Sequence, residues 1–335
     1  MDAINTFLAG ILSGINSLVH NYGWSIVVFT ILIKLVLLPL DLKSRKSMRR
    51  MTSLQPQVAK LQKKYANDKE KLNQKTAELY RKERINPLSG CLPMLLSFPV
   101  LIAMFAAMRM VANLELAKQA IDLILPPHMQ TSEGWLWVKN LWMPDSPFSA
   151  VIVDHTSLTQ ITQDIWNRVF TSLTPEQVSG LANLQITATS ISSDTIYSAL
   201  QQSPAYAEAM GYWATLPYVD LIFTKLYIFE HSNGYFILPV LAAVTQFLMT
   251  MTQPQTMSTS VDASGNPAAG TGKFMKWFFP LFSLYICSSY NAGFSLYWVM
   301  SNLIAWAQGI VINKIMDAQD KQRSVSEAVG EESLR

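Results

Sequence analysis

The sequence predicts an all-α polytopic membrane protein. Five transmembrane helices surround a hydrophilic groove, with a cytoplasmic basic helical hairpin and a largely helical extracytoplasmic insert. Three observations carry this. Half of the 335 residues are hydrophobic and only 15% are charged, where soluble domains carry about 25%. The charges are segregated into one strongly basic and one strongly acidic stretch. Residues 22–40, almost all apolar, reach about 28 Å as a helix, enough to cross a bilayer core, yet hold one charge, Lys34.

Taken in order, residues 1–21 place Ile4, Phe7, Leu8, Ile11, Leu12, Ile15, Leu18 and Val19 at three- and four-residue steps. That spacing predicts an amphipathic helix, lying in the interface plane or packing as an ordinary helix. Lys and Arg are missing before Lys34, so neither a cleaved signal nor a transit peptide is expected. The first span is 22–40. Residues 41–86 then read as a hairpin: from Lys43 to Arg84, fourteen basic residues stand against four acidic ones, net +10. Met48, Met51, Leu54, Val58, Leu61 and Tyr65 repeat at helical spacing, with Leu72 and Leu79 after a break at Asn67-Asp68. Pro56 should kink or restart the first arm. The positive-inside rule places this hairpin in the cytoplasm, the N-terminus outside and the C-terminus inside.

The second span, 88–112, carries Pro93 and Pro99 in its first half and Arg109 near its outer end. Residues 113–233 form an exterior segment with four basic and eleven acidic residues, net −7, opposite in sign to the hairpin. Within it Thr174, Pro175 and Gln177 read as an N-cap, a first-position proline and a capping box. Helix is expected over roughly 174–185 and 192–212, and the aromatic-rich 212–229 as interfacial. Residues 234–252 form the third span, 253–273 a cytoplasmic linker rich in Thr, Ser, Gly and Pro, and 274–290 and 293–313 the fourth and fifth spans. Only Asn291-Ala292 separates the last two, which makes them antiparallel neighbours. The tail, 314–335, is close to neutral. Cys91 and Cys287 sit near opposite membrane faces, so a disulfide is not expected, and metal ligands are too few.

A charge inside a span costs roughly 2.5–3.5 kcal/mol on insertion scales. No Asp or Glu lies inside any predicted span to pair with Lys34, so snorkelling, hydration or a substrate's negative charge must compensate. The spans supply a polar lining at helical spacing. Thr30 lies one turn from Lys34, Gln246 and Thr250 are four apart, Ser295, Trp298 and Asn302 share a face, and Ser97 sits beside Pro99. A wet groove lined by these side chains would solvate the ammonium; ordinary interhelical hydrogen bonding is the competing reading for the hydroxyls. Enzymatic chemistry is not expected: His20, His128, His155 and His231 are all exterior, and HExxH, GxSxG and Walker motifs are missing. No metal and no cofactor is expected. A channel or transporter with an anion site at Lys34 is the alternative function, although no internal repeat is visible.

Several strings resemble the YidC/Oxa/Alb family of membrane-protein insertases. NYGWSIVVFTILIKLVLLPL with the following basic hairpin is similar to its first core span, and Asn86-Pro87-Leu88-Ser89-Gly90-Cys91-Leu92-Pro93 to the motif opening its second. WVKNLWMPD, PVLAAVTQF and FSLYWVMSNLIAWAQ resemble segments before and within its later spans. The resemblance covers 20–145 and 234–313. It implies a cation-bearing groove open to cytoplasm and lipid, in a bacterial inner membrane. Lys34 takes the place of the usual Arg, Thr30 and Trp298 match substrate-facing positions, and Ser97 stands where Gln is common. The implied partners are nascent membrane proteins, the Sec translocon, lipid and, transiently, the ribosome. The short tail lacks the basic extension some members dock on ribosomes. No DNA partner and a monomeric state are expected. The insert, 148–233, has no recognised counterpart.

Overall fold

The computed structural model describes residues 2–83, 88–126, 132–210, 218–221, 224–227, 232–252 and 271–332, with the side chains of 2, 3, 5, 88–101, 209, 210, 218–221, 224–227, 271–273, 275, 320 and 323–332 outside the description. The described chain is predominantly helical. It begins with α1 (Asp2–Val19), α2 (Tyr22–Ser53), α3 (Gln55–Lys64), α4 (Lys69–Lys82) and α5 (Leu88–Ile124). Five short helices follow: α6 (His155–Leu158), α7 (Gln163–Thr171), α8 (Pro175–Asn183), α9 (Ser193–Gln202) and α10 (Pro204–Met210). A two-stranded antiparallel hairpin comes next, β1 (Tyr218–Leu221) and β2 (Thr224–Tyr227), with Tyr218 opposite Tyr227. The chain closes with α11 (Ile237–Thr252), α12 (Thr271–Ser289) and α13 (Ala292–Glu332).

Several helices outrun the sequence-predicted spans. Apolar content ends at Leu40, Ala112 and Asn313, but α2, α5 and α13 continue as helices with polar outer turns, because the residues beyond are good helix formers. The hairpin arms break where expected: Pro56 stands in the first turn of α3, and Asp68 caps α4 by accepting from Lys71 N at 3.0 Å. In the insert, α8 starts at Pro175 with the Thr174–Gln177 capping box formed in both directions. The single helix expected over 192–212 is instead two, because Pro204 cannot continue the ladder. Residues 218–221 and 224–227, within the stretch read as interfacial, pair as antiparallel strands. Tyr, Val, Leu and Thr there favour strand. The linker 253–270 lies outside the described residues.

Contacts divide the chain into two units. The first comprises Met1–Thr30, Ile102–Ala242 and Ser283–Val299. Its core includes Leu12, Ile26, Phe29, Met104, Met108 and Phe294, all essentially inaccessible. The strap 133–145 completes this unit by serving the starts of three helices. Glu133 Oε1 accepts from Tyr22 N, ahead of α2. Asp145, fully buried, accepts from Tyr235 N at 2.9 Å, Leu238 N at 2.7 Å and Trp137 Nε1 at 3.1 Å, ahead of α11. The carbonyls of Met143 and Leu141 accept from Ala292 N (2.9 Å) and Gly293 N (2.8 Å), ahead of α13. These are the N–H groups that helices leave unpaired. The strap is held by Asn140 and Asn233: Asn140 N donates to Asn233 Oδ1 at 2.7 Å, and Asn233 Nδ2 donates to the carbonyls of Asn140, Met143 and Pro144.

The insert has its own core of Leu158, Trp166, Val169, Leu181, Ile196 and Leu200. Trp166 Nε1 donates to Ser193 Oγ at 3.1 Å, and Ser203 Oγ donates to Leu123 O at 2.6 Å, fastening the insert to the end of α5. Burial pushes the Tyr206 phenol well above its ordinary range.

The second unit comprises Ile31–Leu101, Ala243–Phe282 and Met300–Arg335. Here the C-terminal carbonyl of α11, Thr252 O, accepts from Arg45 Nη1 (3.4 Å) and Asn313 Nδ2 (3.0 Å). Arg45, only 5% exposed, also bonds Asp41 at 3.0 Å and Ala305 O at 3.4 Å, and Arg49 pairs with Asp317. Gly309 permits this approach: a Cβ there would lie 2.6 Å from Thr252 Oγ1 and 3.0 Å from Arg45 Nη1. Between α3 and α4 an open cleft of about 580 Å³ is lined by Gln57, Lys60, Leu61, Lys75, Leu79 and Lys82, with Glu78 paired to Lys75.

Three outcomes follow from this packing. Asp145→Ala leaves three donors without their acceptor, and at roughly 1–3 kcal/mol for each one buried the variant should unfold at clearly lower temperature in detergent. Gly309→Ala gains about 1 kcal/mol of helix propensity but overpacks the Arg45–Thr252 contact, at about 1–3 kcal/mol, so a net destabilisation is expected in chemical denaturation. Burial, reinforced by Glu115, raises the Glu133 carboxyl above the ordinary glutamate range, against the lowering effect of the Tyr22 N–H. The folded state therefore binds this proton more tightly than the unfolded one. Its contribution to stability grows as pH falls through the raised folded value and is lost as pH rises through it. Thermal melts of Glu133→Gln should lack that pH-dependent increment.

Candidate functional site

Lys34 lies half-buried on α2, in the second unit. Steps of seven and eleven residues return to within about 20° of the same helix face, which aligns Lys34 with Asp41 and Arg45. Asp41 is itself bonded by Arg45 at 3.0 Å, so the acid along this face is already engaged. Both residues fall beyond Leu40, where the apolar run ends, and sequence reasoning passed over them; the seven- and eleven-residue spacing was the signal.

Gln246 and Asn302 belong to the same unit and are buried, at 7% and 6% exposure. Among the described residues, Asn302 Nδ2 has no hydrogen-bond partner. A buried amide without a partner is expensive, and it marks α13 as a place where a polar group remains unmatched. Thr250 is half-buried and its Oγ1 donates back to Gln246 O at 2.8 Å. Phe247 stacks near Trp277 at 5.4 Å, with the Lys276 ammonium 5.5 Å from the Phe247 ring centre. Ser97 lies on the backbone of α5, but its side chain is outside the described residues.

The remaining candidates lie in the first unit. Thr30 is inaccessible, and its Oγ1 donates to Ile26 O at 2.6 Å. Ser295, equally buried, donates from α13 to Cys287 O of α12 at 3.0 Å. Trp298 is half-buried, and its Nε1 donates to Ser283 Oγ at 3.1 Å. Ser283, fully buried, is a polar partner that the sequence pattern did not single out. An aromatic cluster sets the position of Trp298: Phe294 is 5.6 Å from it, and Phe105 and Tyr290 stack on Phe294 at 5.1 and 5.4 Å. The hydroxyls of Thr30, Thr250 and Ser295 thus all have backbone acceptors, whereas Lys34 has a neighbour already claimed and Asn302 keeps an open donor. Among the described residues no group of three or more His, Cys, Asp or Glu is placed to hold a metal.

The faces these helices turn outward are apolar. On α2, Val28, Ile31, Leu32, Leu35, Val36 and Leu40 are exposed, and only 22% of its most apolar window is buried. Among the described residues two helical runs, Tyr22–Lys64 and Ala292–Gln319, are long and apolar enough to cross a membrane.

Comparison with known proteins agrees with the motifs. A relative from Fusobacterium nucleatum named membrane protein insertase YidC is 52% identical over 108 residues, 32% of this chain and 53% of the relative. One of the same name from Leptospira interrogans is 39% identical over 143 residues, 43% of this chain and 20% of the relative. Another from Chlorobaculum tepidum is 26% identical over 311 residues, 93% of this chain and 36% of the relative. The chain thus spans between a fifth and about half the length of these relatives. Residues 14–193 and 194–320 match the family model described as 60Kd inner membrane protein, and the chain belongs to that family.

Proposed function

We propose that this chain is a membrane-protein insertase and chaperone of the inner membrane, working without covalent chemistry. Five helices cross the bilayer, formed within α2, α5, α11, α12 and α13, with the N-terminus outside and the C-terminus in the cytoplasm. The observation that carries the reading is Lys34: a half-buried cation in the otherwise uncharged stretch 22–40 of α2, whose neighbouring acid Asp41 is held by Arg45. The names of the curated relatives and the outward-facing apolar side chains of α2 support it.

In this reading a nascent segment meets the basic hairpin and enters a hydrophilic groove from the cytoplasmic side. Lys34 holds its polar or acidic flank transiently, while Thr30, Ser97, Gln246, Thr250, Ser295, Trp298 and Asn302 line the path. Asn302, with its free amide donor, is suited to a substrate carbonyl. The hydrophobic segment then leaves for lipid between the third and fifth spans, driven by apolar burial at about 25 cal/mol per Å². The flank crosses a shortened barrier with help from the membrane potential. Insertion proceeds with or without the Sec translocon, and the ribosome is a transient partner.

The test is insertion of a Sec-independent single-span client by purified protein in proteoliposomes. Lys34→Arg should retain activity. Lys34→Ala and Lys34→Glu should slow clients with acidic flanks about tenfold if the cation lowers the barrier by roughly 1.4 kcal/mol, and leave neutral-flank clients less affected. Equal rates for all variants across several clients would remove the charge from the mechanism. Solute flux without a nascent chain would instead favour a channel or transporter with an anion site at Lys34.

A further inference from the structure

Four non-glycine residues among those described have positive φ, and three of them, His20 (55°), Leu136 (52°) and Phe236 (65°), lie where α2, the strap and α11 begin in the first unit. Positive φ brings the Cβ of an L-residue against its own backbone. Leu136 is the clearest case. It takes the first central place of a two-residue turn closed by Trp135 N to Val138 O (2.8 Å) and Val138 N to Trp135 O (2.9 Å). With positive φ, that place normally goes to glycine, asparagine or aspartate. A leucine here strains the backbone, and burial does not repay it, because Leu136 is 66% exposed.

Its surroundings share this character. Leu18, Trp24 and Tyr235 are 81%, 50% and 67% exposed. Trp24 meets Trp135 edge-on at 5.6 Å, and Trp135 meets Trp137 at 6.0 Å. Asn21 Nδ2 donates to Gly134 O at 3.2 Å, and Lys139 N donates to Asn233 O at 3.1 Å, so the three helix starts and the turn form one connected collar. Lys139, on the same strap, is exposed. Tryptophan, tyrosine and an exposed lysine beside protruding leucines are the side chains that suit the boundary between headgroups and acyl chains. The exposed apolar face of α2 also begins at Trp24 and continues through Val28.

We propose that this collar is a lipid-binding surface: the turn 134–138 drives Leu136 below the headgroups of the outer leaflet, Trp24, Trp137 and Tyr235 lie at their level, and Lys139 meets lipid phosphate. The inference rests on the reading of α2 as a membrane span. It adds an anchor that fixes the depth of the strap, and with it the starts of α2, α11 and α13.

The experiment places a nitroxide at single cysteines of the full chain in proteoliposomes, in a Cys91→Ser, Cys287→Ala background. The probes are Leu136→Cys, Tyr235→Cys, Val36→Cys as the span control and Leu184→Cys as an exposed position on the insert. Each variant's thermal unfolding is matched to the parent. At 136 and 235, accessibility to oxygen relative to a water-soluble nickel reagent should be several-fold higher than at 184, with 136 the deeper of the two. Water-like values at both 136 and 235 while Val36 reports hydrocarbon would overturn the collar and leave the span intact; a water-like Val36 would overturn the span itself. Dipolar broadening at 136 would mean a second copy covers the collar, and would also overturn the proposal. Should Leu136→Cys fail to fold, Tyr235→Cys decides alone.

Discussion

The free N–H groups at the starts of α2, α11 and α13 are the constraint on which the first unit depends. A helix leaves its first N–H groups without acceptors of its own, so each needs a partner from elsewhere. One strap supplies them for three helices. It uses a carboxylate for α11, a second carboxylate for α2 and plain carbonyls for α13. The choice follows position: Asp145 is fully enclosed and satisfied by three donors, whereas Glu133 is half-exposed and carries a raised carboxyl. Asn140 and Asn233 then give the strap its shape. Because these bonds fix where each helix begins, they also fix the rotation at which Thr30, Ser295 and Trp298 are presented further along.

The second unit solves the mirror problem at a helix end. Thr252 closes α11, and its carbonyl needs donors rather than acceptors. Arg45 and Asn313 supply them, and Gly309 leaves the room. A guanidinium serves here better than an ammonium would, since its planar fork reaches Asp41, Thr252 O and Ala305 O together. The helix dipole adds to this, because a cation near a C-terminus is favoured.

Much of this was legible in the sequence, and what was missed has physical causes. Thr174-Pro175-Glu176-Gln177 announced α8, and Pro56 and Asp68 announced the hairpin breaks, because capping is local chemistry. WVKNLWMPD stood out as a motif, but its purpose did not, since Asp145 and the Leu141 and Met143 carbonyls act on helices about ninety to one hundred and fifty residues away. The predicted spans stop short of the ends of α2, α5 and α13 because hydropathy marks where apolar content stops, not where helix stops. The β-hairpin was missed for the opposite reason: strand propensity depends on pairing, which a single window does not reveal. Among the site candidates, the polar spacing singled out Thr30, Thr250, Ser295 and Asn302 alike as groove-lining side chains; the hydroxyls of the first three bond backbone carbonyls, whereas the Asn302 amide has no partner among the described residues. That distinction is a property of the neighbours.

No acid lies within residues 22–40 beside Lys34. An acid does share the face, two turns along, but it is engaged by a guanidinium 3.0 Å away. A face reading Lys34, Asp41, Arg45 carries two cations and one anion, so one positive charge is left over whatever the details of pairing. Arg45 is the better-held cation, with two carbonyls and a carboxylate, and is the one that Asp41 neutralises. An arginine at position 34 would compete with Arg45 for Asp41 through its wider fork, whereas a lysine, with a compact ammonium on a flexible stem, concentrates the charge at one point. On this face the carboxylate of Asp41 is thus shared between a guanidinium that bonds it directly and an ammonium two turns away.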